Sequence, residues 1–151
     1  MKSGLLTLSI CLLSWQASMP VALAAGPNLV LVSSSKSTIG PLPEDEVRKL
    51  YLGITILADG QPIKPLRNHS DSYVQQVFMR KVMFMSTQAY ERQILSQVFR
   101  MGGNRPPIFT GVHKLISALK ADPSTVTYMY SDEASAHPDL RILGILWEDT
   151  D

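Results

Sequence analysis

Apolar positions along this chain recur in two rhythms. Asn28–Ser33 (NLVLVS), Thr125–Tyr130 (TVTYMY) and Leu140–Trp147 (LRILGILW) are short apolar or β-branched runs bounded by polar and turn residues, and each reads as a strand. Between them the spacing becomes helical. Val47, Leu50 and Tyr51 share one face of a helix that opens on Glu44, Asp45 and Glu46, carries Arg48 and Lys49 towards its end, and stops at Gly53. Val74, Val77, Phe78 and Val82 form a second stripe, for which Ser70 is the expected cap. Tyr90, Ile94, Val98 and Met101 form a third, opened by Ser86 or Thr87 and closed by Gly102 and Gly103. Val112, Leu115, Ile116 and Leu119 form a fourth, with Thr110 as the expected cap and Asp122-Pro123 as the stop.

The remaining pieces are connections. Ser34–Pro41 is a polar loop, and Ile63–Leu66 is a short strand whose Pro65 confines it to an edge or a strand end. Asn104–Thr110 carries Pro106 and Pro107, which exclude helix, and His137-Pro138-Asp139 marks a turn between the last two strands. Alternation of strands with helices predicts an α/β fold, a mixed sheet covered by helices. No internal repeat, low-complexity tract or linker divides it, and 151 residues fit one domain.

Residues 1–24 have the pattern of a secretory signal: Lys2, a short apolar core, and a small-residue cleavage site at Ala22-Leu23-Ala24. The domain then runs over 25–151 and is expected in the periplasm, with no membrane span after cleavage. Cys11 is the single cysteine and lies inside that signal, so no disulfide or thiol is expected in the secreted product. A domain of this size buries roughly two-thirds of its unfolded surface, enough to hold without a staple.

Without Lys2 the basic and acidic side chains balance at 13 each. Between Arg67 and Arg105, however, six basic residues face only Asp71 and Glu91, a bias that draws small anions. Arg67–Tyr73 (RNHSDSY) is the leading candidate site. A helix start offers free amide groups and partial positive charge, Ser70 and Ser72 add hydroxyls, and Asp71 can accept a proton from a protonated oxyanion. Ser34 and Ser35, after the first strand, are a second set of donors.

Catalytic and cofactor chemistry finds little support. Ser33-Ser34-Ser35-Lys36 and Ser117-Ala118-Leu119-Lys120 fit S-x-x-K without its companion motifs, and neither G-x-S-x-G nor a phosphate loop occurs. His69, His113 and His137 are too scattered for a metal site. Met79, Met83 and Met85 sit among Phe78, Val82 and Phe84 and read as packing. A chain without aromatics interleaved among its basic residues offers nothing for nucleic acid.

Several segments in order carry a resemblance. LPEDEVRKLYLGITILADGQPIKPLRNHSDS, then SYVQQVFMRKVM, YERQILSQVFRMGGNRPPIF and TVTYMY resemble phosphate-type substrate-binding proteins of ABC importers, of the type 2 periplasmic-binding superfamily. The likeness spans about Asn28 to Trp147 and matches a short, single-lobe member. It implies a non-enzymatic solute-binding lobe without a cofactor, taking a small oxyanion such as phosphate at Arg67, Ser70, Asp71 and Ser72. The family's turn reads like RSDGSGT, and this chain keeps the arginine and a Ser-Asp-Ser cluster but neither glycine. A lobe that has kept the fold and lost its ligand, serving as an interaction or sensory module towards an envelope protein, is the alternative.

Overall fold

A computed structural model describes residues 27–149. The signal-like segment 1–24 lies outside the described residues. In chain order the elements are β1 (Leu29–Ser34), α1 (Glu44–Tyr51), β2 (Leu57–Ala58), β3 (Gln61–Pro62), β4 (Lys64–Pro65), β5 (Arg67–Asn68), α2 (Ser72–Val77), α3 (Thr87–Met101), β6 (Ile108–Phe109), α4 (Val112–Ala121), β7 (Thr125–Tyr130), α5 (Ser131–Ser135) and β8 (Leu140–Trp147). A π-helical turn, Phe78–Val82, continues α2.

The main sheet has the order β4-β7-β1-β8. β1 runs antiparallel to both neighbours, whereas β4 lies parallel to β7, so the sheet is mixed, as the alternation predicts. β5 pairs with β6 in a separate parallel two-stranded ladder, and β2 with β3 in a small hairpin. Pro65 sits in the edge strand β4, where a missing N–H costs no ladder bond.

β1 reads as a continuous apolar run because both its faces are covered. Leu29 and Leu31 enter a large cluster with α1, the α2 region and α3. Val30 and Val32 meet Leu115 and Leu119 of α4 and Ala134 of α5 on the other side. The larger cluster centres on aromatics. Phe78 stacks on Tyr128 with ring centres 3.7 Å apart, and Tyr51 meets both edge-on. The π turn, closed by the Met83 amide donating to the Phe78 carbonyl at 3.0 Å, buries Phe78, Met79 and Val82 together.

Helix ends follow the sequence in part. α1 carries the expected pairs Arg48–Glu44 at 3.3 Å and Lys49–Asp45 at 2.9 Å. Ser86 caps α3 by accepting from the Ala89 amide, and Gly102, with φ of 71°, ends it. Two caps differ. Asp71, not Ser70, caps α2 by accepting from the Tyr73 amide, and α4 starts from Gly111 with no side-chain cap, leaving Thr110 outside it. Met101, expected on the buried stripe of α3, is exposed because the helix outruns the core near its end.

Candidate functional site

The carboxyl ends of β5, β6 and β7 open on one cleft of about 450 Å³. Asn68, Ser70 and Asp71 line it from the β5–α2 turn, Thr110 to His113 from the start of α4, and Tyr130 and Glu133 from the end of β7 and from α5. Strand ends of an α/β sheet are where ligands gather.

The turn is shaped by Asn68. Its amide nitrogen donates to the Tyr128 carbonyl at 2.9 Å, and its oxygen accepts from the Ser70 amide at 3.0 Å and hydroxyl at 2.6 Å. Ser70 is therefore bound into the turn rather than into the helix. Asp71 and Ser72 are exposed at the helix start.

Arg67 behaves differently from the expectation. Its side chain is fully buried and turns away to α3, where a guanidinium nitrogen donates to Glu91 at 2.5 Å and the guanidinium lies over the Tyr90 ring at 4.9 Å. Its Nε and Nη1 have no partner. Glu91 also accepts from Arg105, which clasps the loop after α3 to the body. Partial burial raises the Glu91 carboxyl, but the hydrogen bond and charge of Arg67, with Arg105 beside them, outweigh it and hold the pKa below its ordinary value. Burial and the Arg67 charge lower that of His69.

Ser34 and Ser35 lie at the other end of the sheet. Ser34 is paired with Leu140 and nearly buried, and the Ser35 amide donates to the Asp139 carbonyl, whereas the cleft lies at the Leu29–Tyr130 end of the same ladders. Of the six residues singled out in the sequence, the structure brings Ser70, Asp71 and Ser72 together and separates Arg67, Ser34 and Ser35 from them. Asn68, inside the candidate segment, and Thr110, read only as a helix cap, were given no place in the site, and His113 and Tyr130 were missed. Thr110 and His113 come from a segment forty residues on, and only the parallel pairing of β5 with β6 places them beside the turn.

Two carboxylates, Asp71 and Glu133, line the cleft. Burial, followed by Tyr73, Asp71, Asp149 and Asp132, pushes the Tyr130 hydroxyl up to about 12. Against these carboxylates the cleft lining offers His113 and the start of α4. A second hollow of about 420 Å³ lies behind, between the end of α1, β4 and the Gly102–Pro107 loop. Among the described residues no group of three or more His, Cys, Asp or Glu side chains could hold a metal ion, and no helix is long and apolar enough to cross a membrane.

Neither a protein-family model nor a curated protein matches the chain. Solved structures do. A phosphate ABC transporter substrate-binding protein from Clostridium perfringens, with bound phosphate, superposes with a TM-score of 0.60 at 13% identity, over 79% of this chain and 45% of that one. An ABC-type phosphate transport receptor from Vibrio cholerae gives 0.58 at 12% identity, over 79% and 46%. PstS from Borrelia burgdorferi gives 0.56 at 14% identity, over 80% and 47%. At such identities the likeness defines the fold: this is an α/β chain with the periplasmic-binding-protein-like architecture. It spans less than half the length of the proteins it is similar to.

Proposed function

We propose that the protein is a non-enzymatic lobe of the substrate-binding type that serves as an interaction or sensory module of the cell envelope, receiving a partner at the β5–β6–β7 cleft instead of retaining phosphate. A signal over 1–24 and a periplasmic location belong to the same reading. One observation carries it: Arg67, the cation of the candidate turn, is buried against Glu91 and so is unavailable to a ligand in the cleft. An anion there would meet Asp71 and Glu133 without a fixed positive charge to offset them.

Titration calorimetry of the folded protein with phosphate and then sulfate is expected to stay flat to millimolar concentration. Saturable phosphate binding would overturn the proposal. A partner recovered from envelope extract should be retained irrespective of phosphate and lost with Glu133→Lys, at an exposed position that makes no helix cap.

Weak capture of a protonated oxyanion is a second reading, favoured by the uncapped start of α4 beside Ser70. Asp71 would then accept the ligand's proton. On that reading Ser70→Ala weakens phosphate binding and Arg48→Ala, on α1, leaves it unchanged.

A further inference from the structure

The end of α3 projects from the body. Tyr90 and Ile94 hold the helix in the larger core cluster, but beyond them it runs past the core, and every residue from Phe99 to Arg105 is exposed. This tip is not polar. Phe99 is 85% exposed and Met101 76%, and neither lines the hollows described above. At about 100° per residue, Phe99 and Met101 point about 200° apart around the helix axis, so the tip is apolar on opposite sides.

The charge around it has one sign. From Ser72 to Ala121 the only carboxylate is Glu91, and Arg67 and Arg105 both occupy it. Arg100 stands between the two apolar side chains. Arg92, with the partly exposed Leu95, continues the Phe99 side of the helix back from the tip. Both arginines are exposed, and among the described residues neither has an ion-pair partner.

We propose that this tip, residues 99–104, docks the molecule on an anionic lipid bilayer. Phe99 and Met101 enter the boundary between headgroups and acyl chains, and Arg92 and Arg100 stay at the level of the lipid phosphates. A protein surface laid against the tip would cover one of the two apolar side chains and leave the other in water, whereas a headgroup layer surrounds both. The charge is complementary as well, since no unpaired carboxylate on this part of the chain faces the lipid phosphates. No residue of α3 lines the β5–β6–β7 cleft, so the cleft stays open on a docked molecule, and docking does not depend on what the cleft receives.

Flotation of the purified protein with vesicles of equal parts phosphatidylglycerol and phosphatidylcholine should show saturable binding. It should be lost on phosphatidylcholine alone and weaken as salt rises from about 50 to about 500 mM. Phe99→Ser/Met101→Ser, at side chains outside the core, should lower the partition coefficient by more than about tenfold with the melting temperature kept. Arg92→Gln/Arg100→Gln should lower it by about tenfold at the lower salt. Absence of binding to the anionic vesicles would overturn the proposal and leave an acidic protein as the occupant of the tip; binding indifferent to these substitutions would overturn it too. Insertion is read separately with Phe99→Trp, whose fluorescence, taken as the difference from wild type, should be quenched by vesicles containing brominated phosphatidylglycerol. An unquenched signal would also overturn the proposal, and this readout stands if the serine variant fails to fold.

Discussion

Arg67 shows how one contact redirects a residue's role. Its charge is out of water, two of its nitrogens lack partners, and a single carboxylate compensates it. Removing that carboxylate is costly and removing the arginine is not, because a buried charge left alone costs far more than a buried pair contributes. Glu91→Gln should lower unfolding free energy by about 3 kcal/mol. Arg67→Met, which leaves Glu91 with Arg105 at the surface, should lower it by less than about 1 kcal/mol or raise it slightly. Urea denaturation of both variants measures the asymmetry, and equal losses would mean the pair is not the unit described. The sequence made Arg67 legible as a candidate cation and left its direction open. A strand residue projects to one of two faces, and which face carries an acceptor depends on Glu91, twenty-four positions away on α3.

At the scale of elements, the long periodic segments were readable and the two-residue ones were not. α1, α3, α4, β1, β7 and β8 all fall where apolar spacing and stop signals put them, within a residue or two. β2, β3, β5 and β6 are too short to have a period; their existence depends on partners such as Pro107, whose carbonyl accepts from the Arg67 amide at 2.8 Å. Serine signals illustrate the same limit. Ser86 and Ser70 both precede a helix, yet Asn68 competes for Ser70 and takes it. Ser86→Ala should therefore cost about 1 kcal/mol. Ser70→Ala should cost roughly half that, since the Ser70 amide keeps its bond to Asn68. Thermal melts of the two variants check the order.

For the whole molecule, stability should be flat over roughly pH 7 to 9 and fall on both sides, the acid limb beginning with His69, whose imidazole burial and Arg67 keep neutral in the fold after the unfolded chain has taken up its proton. On the acid side, Glu91 and Asp122 have folded pKa values below their ordinary 4.5 and 3.8, that of Asp122 at about 2 through its hydrogen bonds from Lys64 and Ser124. Their contribution is complete above the ordinary values and disappears as pH falls through the folded ones. On the alkaline side, burial lifts Tyr51 and Tyr128 well above 10 and Tyr90 to about 12, so the unfolded chain releases protons first and stability drops above pH 10. Chemical denaturation across pH traces both limbs. Fold class was legible at this scale and the cleft was not, because it is assembled from the β5, β6 and β7 ends, which only the parallel pairings bring together. Pro65 has a further effect on assembly. With no amide hydrogen at its position and a strand only two residues long, β4 cannot template a neighbour, so this edge of the main sheet is closed to strand addition and to filament growth by edge pairing.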